Sequence, residues 1–279
     1  MGTLRVMTFN IRGFYHPDDG ANQWQHREAL NVATIRAAAP HLIGMQEVQT
    51  GNLKAYDRLL DEYHWSAWPE YGNQPPFEWP AIYWDPRALS PIDSGGFWLS
   101  ETPERFSASW ETDCIRAATW IKFRDTATGA TIVHLNTHLD HISEQARVEG
   151  TRLILSRLRE LQADGSVAIV TADFNARPQS PTHRLYEDSG FTDAYLAAGH
   201  ADHPERSFTY HGWRGREFRR EGADPVRIDW ILARDGARWR ARVTSCAIVQ
   251  DAAPPVYPSD HYPVLGELVI ERNEAAPTR

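Results

Sequence analysis

The chain has 279 residues, of which 42% are hydrophobic and 24% are charged, and its formal net charge is −8. This composition is typical of a folded globular protein and excludes long intrinsic disorder. The acidic balance argues against nonspecific binding to duplex nucleic acid, which needs many Lys and Arg side chains, but an enzyme that contacts one or two phosphates is not excluded.

The N-terminal part of the chain predicts a strand, a helix and a second strand. Residues 4–10 have the pattern of a strand, which leaves no room for a secretory signal peptide. No apolar run approaches the roughly 18 residues of a membrane span, so we expect a cytoplasmic protein. Residues 25–39 predict a helix that Pro40 ends, and residues 41–45 predict a buried strand that leads into Glu47.

Two stretches have the composition of long loops. Residues 63–84 are rich in aromatic side chains and proline, and residues 199–224 are polar and contain four arginines. The aromatic stretch has two interpretations: a packed surface loop, or an aromatic wall beside a pocket that stacks on a sugar or a base. The side chains concerned are Trp65, Trp68, Tyr71, Phe77, Trp79, Tyr83 and Trp84 in the first stretch, and Arg214, Arg216, Arg219 and Arg220 in the second.

The rest of the chain alternates strands with one further helix. Residues 145–163 have apolar side chains at helical spacing, with Ser143 as a candidate N-cap and Gly165 just beyond the end. Strands are predicted at residues 131–139, 167–172, 226–232 and 264–270. Because strands outnumber helices, an α/β sandwich fits better than a doubly wound parallel fold. We expect one domain over residues 1–272 and a C-terminal tail at 273–279.

Polar residues end these apolar strands repeatedly, which would deliver them to a cleft at the sheet edge. The two-residue repeat of a strand places Asn136, His138 and Asp140 on one face, and it aligns Asp173 with Asn175. The remaining polar residues at such positions are Glu47 after the second strand, Asp229 within an apolar strand, and Asp260 and His261 before the last strand.

Each of these residues also has a structural interpretation. His138 alone resembles a hydrogen-bonded core histidine, and Asp173 with Asn175 resembles a turn stabilised by its own side chains. Asp229 is harder to explain in this way, because a buried carboxylate needs a partner such as histidine. The two cysteines form no zinc-binding pair. A cluster of carboxylate and amide oxygens without thiolate suits Mg²⁺ or Mn²⁺.

Six short motifs, in this order, resemble those of the endonuclease/exonuclease/phosphatase superfamily, which has the deoxyribonuclease I-like fold. The resemblance covers residues 8–264. It implies a four-layer α/β/β/α sandwich, in which two packed mixed β-sheets are flanked by helices, and a Mg²⁺-dependent hydrolase of phosphoesters. The motifs are Thr8-Phe-Asn-Ile-Arg, Gly44-Met-Gln-Glu-Val, Asn136-Thr-His-Leu-Asp-His, Thr171-Ala-Asp-Phe-Asn, Arg227-Ile-Asp-Trp-Ile and Ser259-Asp-His-Tyr-Pro-Val.

The resemblance also implies roles for single residues. Glu47 would be a metal ligand, with Asn10 and Asp260 beside it in the same site. Asp173 would orient or deprotonate the attacking water, and Asn175 would bind that water or a phosphate oxygen. Ala172 replaces the usual glycine of this motif, a small change that should not disturb the site.

Both histidines would contact the phosphate according to the same resemblance. His261 would be oriented by Asp229, and His138 would be the second histidine on the phosphoryl group. An aspartate behind a histidine fixes its tautomer and favours its protonated form. Asp173 and His261 both remain candidates for the group that takes the proton.

Two further residues fit a bacterial branch of the superfamily. The segments Phe97-Trp-Leu-Ser-Glu-Thr-Pro103 and Arg116-Ala-Ala-Thr-Trp120 resemble that branch. Arg116 would offer a bidentate fork to phosphate, with a structural ion pair as the alternative. Asp140 lies on the face of His138 and is a candidate substrate-binding residue whose role the sequence leaves open.

We therefore predict a monomeric Mg²⁺- or Mn²⁺-dependent phosphoesterase. The absence of a basic stripe favours a small or single-phosphate substrate, either a diester or a monoester. A nuclease that acts on single-stranded or damaged nucleic acid is the alternative, because stacking can replace positive charge there. A noncatalytic binding module of the same fold is a third hypothesis.

Overall fold

A computed structural model describes residues 2–68, 78–219 and 226–273. Tyr71, Phe77, Arg220 and all but the first residue of the tail therefore lie outside the described residues. The strands in the described ranges are β1 (Thr3–Asn10), β2 (Leu42–Val48), β3 (His64–Ser66), β4 (Trp79–Trp84), β5 (Leu89–Trp98), β6 (Ala117–Asp125), β7 (Thr131–His138), β8 (Val167–Asp173), β9 (Thr192–Asp193), β10 (Asp229–Arg234), β11 (Trp239–Ile248) and β12 (Val264–Arg272). The α-helices are α1 (Trp24–Ala38), α2 (Thr50–Leu59), α3 (Glu144–Leu161), α4 (Pro181–Asp188) and α5 (Ala194–Ala197), and short 3₁₀ turns cover Pro17–Asn22 and Gly215–Glu217.

The strands form two six-stranded mixed sheets. The first sheet has the order β11-β12-β1-β2-β4-β3, and the second has the order β5-β6-β7-β8-β10-β9. One parallel pair lies within each sheet, β1 with β2 and β7 with β8, and the other neighbours are antiparallel. The parallel pairs of the two sheets face each other, because β1 contacts β8 and β2 contacts β7. The C-terminal ends of these central strands therefore meet at one edge of the sandwich.

Three apolar clusters separate four layers. The cluster between the sheets includes Val6, Leu42 and Ile169. A second cluster joins α1 and α2 to the outer face of the first sheet, and a third joins α3 and α4 to the outer face of the second, where Leu155 and Leu158 are buried. This is the α/β/β/α sandwich that the sequence predicted. In the described ranges, no helix combines the length and apolarity needed to cross a membrane.

The predicted helices and strands agree with the structure to within a few residues, but the short helices and strands β3 to β6, β9 and β11 were missed. Strands β3 and β4 lie in the aromatic stretch 63–84, which was predicted to be a long loop. Helix α3 begins after Ser143, whose hydroxyl accepts a hydrogen bond from the Ala146 amide as an N-cap does. Helix α4 carries a signal that sequence reasoning overlooked, Ser180 as N-cap followed by a proline at the first helical position. Helix α2 begins at a capping box formed by Gln49 and Asn52, which lacks the usual Ser or Thr.

A polar network crosses the apolar core just below the edge where the central strands end. The Gln46 side chain donates to Asn136 Oδ1 (2.7 Å) and to Thr8 Oγ1 (3.1 Å), and the Thr171 hydroxyl donates to Asn136 Oδ1 (3.1 Å). Gly44 leaves room for this network, because a Cβ there would lie 1.9 Å from Thr171 Oγ1. The network fixes one sheet against the other beneath the polar strand ends. Asn136 is therefore part of the sheet interface, although it shares a strand face with His138.

Candidate active site

Three of the predicted site residues form one row across the second sheet. Asp173 at the end of β8 is the register partner of His138 on β7 and of Asp229 on β10. All three side chains are buried. Because neighbouring strands place register partners side by side, strand pairing alone brings together residues that are 35 or more positions apart in the sequence.

Asp173 is the centre of the polar cluster. Its Oδ2 accepts a hydrogen bond from the Asn10 side chain (3.0 Å) and lies 3.4 Å from His138 Nε2 and 3.7 Å from His261 Nε2. Its Oδ1 accepts from the Asn175 backbone amide (2.9 Å). Burial and then the charge of Asp229 raise the pKa of Asp173 to about 7, against the opposing effects of His261 and Asn10. The carboxyl group is thus poised to exchange a proton near neutral pH.

His261 is held by Asp229. Its Nδ1 lies 3.0 Å from Asp229 Oδ2, and both side chains are buried. Burial alone would lower the pKa of His261, but Asp229, and then Asp173 and Asp260, raise it to about 10. Because the carboxylate accepts the proton on Nδ1, the Nε2–H of the imidazolium is directed toward Asp173 and the cavity.

His138 has the opposite electrostatic setting. Its Nδ1 lies 3.0 Å from Arg116 Nη1, and a guanidinium can only donate, so Nδ1 is an acceptor. Burial, and then the charges of Arg116 and His261, lower the pKa of His138 well below its ordinary value. Its Nε2 faces Asp173 and the Asn175 amide group, which lies 3.0 Å away. One histidine of the site is therefore neutral and the other is charged.

Glu47 comes from the other sheet and adopts a strained backbone. It lies at an irregularity in the pairing of β2 with β4, and its φ angle is 61°. Asn175 also has a left-handed φ, 47°. Strained backbones at non-glycine residues concentrate at functional sites. The Asn10 side chain donates to Glu47 Oε1 (2.8 Å) as well as to Asp173, and so joins the two sheets at the site.

The donors at this edge fit a divalent cation. Glu47 Oε2 is buried and has no hydrogen-bond partner in the part of the chain that the structure describes, and it lies 3.9 Å from His16 Nε2. Among the described residues, three groups of acidic, His or Cys side chains have ligand atoms within 4.8 Å of one another. They are His16 with Glu47 and Glu78, Asp173 with Asp229 and His261, and Asp113 with Cys114 and His141.

The two other predicted metal ligands have different surroundings from Glu47. Asp260 belongs to none of the three groups, and its Oδ2 lies 3.9 Å from Arg12 Nε. Burial, and then the charge of Glu47, raise the pKa of Asp260. The side-chain oxygen of Asn10 accepts from the Arg12 amide (3.0 Å), while its nitrogen faces Glu47. Asn10 and Asp260 thus surround the Glu47 carboxylate through hydrogen bonds and charge.

A cavity of about 780 Å³ opens above these residues. Its wall contains four arginines and two aromatic rings, of which only Arg116 had a role predicted from the sequence. The arginines are Arg12, Arg116, Arg214 and Arg219, and the rings are Tyr210 and Phe218. The pKa of Glu78 is raised to about 7, first by burial in this wall and then by the charge of Glu47. Arg12 was visible within the first motif, but Glu78 follows no repeat and had no sequence signal.

The aromatic stretch does not form this wall in its described part. Trp65, Trp79 and Tyr83 pack with the first sheet, Trp84 packs between the sheets, and Trp68 packs against the second sheet. In the arginine-rich loop, Arg216 lines a neighbouring pocket instead.

Arg27 positions the loops that carry the site. Its side chain is fully buried, and it donates to the carbonyl oxygens of Ile11 (2.7 Å) and Pro258 (2.9 Å). It also donates to the carbonyls of Asn22, Arg12 and Gly13. The loop after β1 and the loop before Asp260 are therefore fastened to one guanidinium.

Asp140 holds a neighbouring loop rather than lining the cavity. Its Oδ2 accepts from the Thr112 hydroxyl (2.8 Å) and from the amides of Asp113 and Cys114, and its Oδ1 accepts from the amides of Ile142 and Ser143. Burial would raise the pKa of Asp140, but these hydrogen bonds lower it. The carboxylate thus ties the loop that leads to Arg116 to the start of α3.

Comparison with known proteins agrees with this architecture. The sequence model of the Endonuclease/Exonuclease/phosphatase family matches residues 7–261. A solved endonuclease/exonuclease/phosphatase from Bacteroides vulgatus is 30% identical, with a TM-score of 0.85 over 97% of this chain and 100% of that one. The mannosyl-6-phosphatase Bt3783 of Bacteroides thetaiotaomicron is 25% identical, with a TM-score of 0.82 over 95% and 99%. The human Nocturnin catalytic domain shares the fold at 20% identity, with a TM-score of 0.72 over 96% and 95%. No curated protein matches the sequence.

Proposed function

Because the chain belongs to the endonuclease/exonuclease/phosphatase family, we propose that it hydrolyses a phosphoester bond in a small or single-phosphate substrate, with a divalent cation. The observation that carries the proposal is the row of His138, Asp173 and Asp229 beneath an arginine-lined cavity, with Glu47 facing it from the other sheet.

We assign to Asp173 the role of taking the proton from the attacking water. Its pKa of about 7 makes its ionised form available near neutral pH and still basic enough to take a proton. Asn10 holds Oδ2 at 3.0 Å, and the backbone amide of Asn175 holds Oδ1 at 2.9 Å. The carboxylate is thus fixed in position before substrate arrives, and the Asn175 side chain is close enough to share the water.

Positive charge for the phosphoryl group comes from His261 and the arginines. Protonated His261 presents Nε2–H to the cavity, and Arg116 and Arg12 line the wall beside it. Such donors are effective because they are already oriented toward the oxygens on which negative charge accumulates. Neutral His138 accepts from Arg116 and so fixes the guanidinium that contacts phosphate.

The residues that would hold the cation include Glu47, with Asn10 and Asp260 supporting it. When bound there, a divalent cation would supply a fixed charge that stabilises the phosphoryl oxygens. The partnerless Glu47 Oε2 supports this assignment. Asp140 we assign to positioning, because its five hydrogen bonds hold the loop next to Arg116.

The cavity favours a small substrate. Its volume of about 780 Å³ lies in the range of small-molecule sites, roughly 300–1,000 Å³. Its four arginines are concentrated at one opening, and the chain as a whole carries a net charge of −8. The mannosyl-6-phosphatase among the similar structures supports including sugar phosphates among the candidate substrates.

The test is a hydrolysis panel with Mg²⁺ and with Mn²⁺. It would contain sugar phosphates, nucleotides, phospholipid headgroups, bis-p-nitrophenyl phosphate and single-stranded oligonucleotides. We expect turnover of a small ester that a chelator abolishes and that Glu47→Gln and His261→Ala lose. The control is His26→Ala, which removes an exposed histidine of α1. Absence of turnover on every substrate would favour the noncatalytic binding module.

The nuclease alternative predicts that KM depends strongly on salt concentration. Tyr210 and Phe218 provide rings on which an unpaired base would stack. A KM that rises steeply with salt, together with preference for oligonucleotides, would support this alternative, because binding along a polyanion releases counterions.

A further inference from the structure

Three metal-binding side chains converge on one point at the edge of the first sheet. They are His16 from the loop after β1, Glu47 from the end of β2 and Glu78 directly before β4. Their ligand atoms all lie within 4.8 Å of one another. None of them belongs to the row around Asp173 on the second sheet, and the Asn10 side chain, which donates to both Glu47 and Asp173, lies between the two groups.

Two of these ligand atoms are buried without a partner. Among the described residues, His16 Nε2 and Glu47 Oε2 have no hydrogen-bond partner, and the 3.9 Å between them is too long for a hydrogen bond. Buried polar atoms in folded proteins are nearly always paired, so two that face each other without a partner point to a bound species. Glu78 lies 3.7 Å from Arg116, which is a long ion pair.

The backbone conformation around His16 and Glu47 allows their side chains to approach each other. A Cβ on Gly13 would lie 2.7 Å from His16 Nε2, so the glycine makes room for the imidazole. The left-handed φ of 61° at Glu47 turns its side chain out of the strand alternation. Asn10 and Gln49 fix the two flanking loops, since Asn10 holds Glu47 Oε1 and Gln49 accepts from the amides of Phe14 and Tyr15.

We infer that His16 and Glu78 bind the divalent cation together with Glu47, and that this site prefers Mn²⁺ to Mg²⁺. The inference rests on the proposed function for the presence of a cation. It goes beyond that function in naming the ligands and the preferred ion. Imidazole nitrogen suits transition metals, whereas Mg²⁺ is bound through oxygen ligands and retains several waters.

The charge balance agrees with a cation at this point. Glu47 and Glu78 bring two carboxylates within ligand distance of each other. Arg12 lies nearby, but its guanidinium is already bound to Asp19 through Nε (3.2 Å) and Nη2 (3.1 Å). Arg12 and Arg116 therefore offset only part of the charge of the two carboxylates, and a divalent cation would offset the rest.

The experiment is direct binding of Mn²⁺ and of Mg²⁺ to the chelator-treated full chain, measured by calorimetry. We expect the wild type to bind Mn²⁺ at least about tenfold more tightly than Mg²⁺. His16→Ala should lose about tenfold or more of the Mn²⁺ affinity and little of the Mg²⁺ affinity, and Glu78→Gln should weaken both. His26→Ala is the matched control and should bind both ions as the wild type does. Equal affinity of the wild type for the two ions, or unchanged Mn²⁺ binding in His16→Ala, would overturn the inference.

A spectroscopic measurement identifies the imidazole ligand. Pulsed electron paramagnetic resonance of the Mn²⁺-loaded wild type should show coupling to a ¹⁴N nucleus of imidazole, and its absence would contradict the proposal. Because His261 offers a second imidazole in the site, the coupling should also disappear in His16→Ala, and its retention there would contradict the proposal as well. The outcome is also separable from the proposed function. Nitrogen-coupled Mn²⁺ in a chain that hydrolyses no ester would sustain the site and reject the enzyme, and hydrolysis without nitrogen coupling would do the reverse.

Discussion

Asp173 and Asp229 are direct register partners on β8 and β10, so two buried carboxylates lie side by side in the second sheet. His261 contacts both of them, Asp229 at 3.0 Å through Nδ1 and Asp173 at 3.7 Å through Nε2. Two adjacent carboxylates resist simultaneous ionisation unless a positive charge accompanies them. The charge of protonated His261 lowers the pKa of Asp173 and so offsets part of the cost of a second carboxylate beside Asp229.

Asp173→Asn should abolish hydrolysis and leave the fold intact. Asparagine keeps the shape of the side chain but cannot take a proton, so we expect kcat to fall by roughly 10²–10⁴-fold. Steady-state kinetics would measure the loss, and circular dichroism would check folding. The matched control is Asp188→Asn, an exposed position at the end of α4. Retention of more than about a tenth of the wild-type kcat would reject Asp173 as the general base.

Asp229→Asn should shift the alkaline limb of the pH profile. The carboxylate raises the pKa of His261 to about 10, so the active protonated form persists up to that pH and is lost above it. Without the carboxylate the pKa falls, and activity should be lost at lower pH. The acidic limb should follow Asp173, whose pKa of about 7 a bound cation would lower. The measurement is kcat/KM against pH for both proteins, and an unmoved alkaline limb in the variant would count against the assigned role of His261.

Arg27→Lys should destabilise the protein and reduce activity together. Lysine keeps the charge but cannot reproduce the planar fork that holds the carbonyls of Ile11 and Pro258. Lysine has three donors and cannot keep all five hydrogen bonds to carbonyls, and a hydrogen bond to a charged group contributes about 1.5–3 kcal/mol to the free energy of unfolding. Urea denaturation would measure this loss. An exposed arginine of the same helix, Arg36, should tolerate lysine with little change in the denaturation midpoint, and an equal effect at both positions would contradict the positioning role.

Gly44→Ala should destabilise the interface between the sheets. The new Cβ would lie 1.9 Å from Thr171 Oγ1 and 2.6 Å from Asn136 Oδ1. These side chains must therefore move away from β2, which breaks hydrogen bonds of the polar network. Such overpacking costs about 1–3 kcal/mol. Gly150→Ala is the control, because its Cβ would meet Leu99 at an ordinary 3.4 Å and alanine favours the helix. The midpoint of thermal unfolding should fall in Gly44→Ala and should stay unchanged or rise in Gly150→Ala. Similar shifts of the midpoint in the two variants would contradict the prediction.

Asp140→Asn should act on the loop before Arg116 rather than on the chemistry directly. The amide nitrogen of asparagine cannot accept the hydrogen bonds that one carboxylate oxygen receives, so about 1–3 kcal/mol of stability should be lost. KM should rise as Arg116 loses its support, with a smaller change in kcat. Steady-state kinetics and thermal unfolding of the same variant would separate the effect on KM from the effect on stability. A large fall in kcat at full stability would indicate direct contact with the reacting group.

The part of the site that could be predicted from sequence is the part that strand ends supply. His138 and Asp173 end apolar strands, Asp229 begins one, and strand pairing then places the three in register. His16 and Glu78 could not be found in this way, because both lie in loops whose course follows from packing rather than from a repeat.

Burial of polar side chains was the other feature that the sequence left open. Arg27 has the pattern of a helix-surface residue, yet it is fully buried. The carbonyl oxygens that accept its hydrogen bonds come from segments more than 200 positions apart along the chain, so no local pattern reveals them. Asp140 was predicted to bind substrate, but its partners include four backbone amides, which no pattern of side chains reveals.

The position of β12 between β11 and β1 has a consequence for synthesis of the protein on the ribosome. On one side β1 pairs with β2, but on its other side it must wait for β12, which follows it by more than 250 residues, and His261 lies just before β12. Pairing of such distant segments is slow compared with local folding. The nascent chain therefore gains a complete catalytic centre only after His261 has been translated, long after β1.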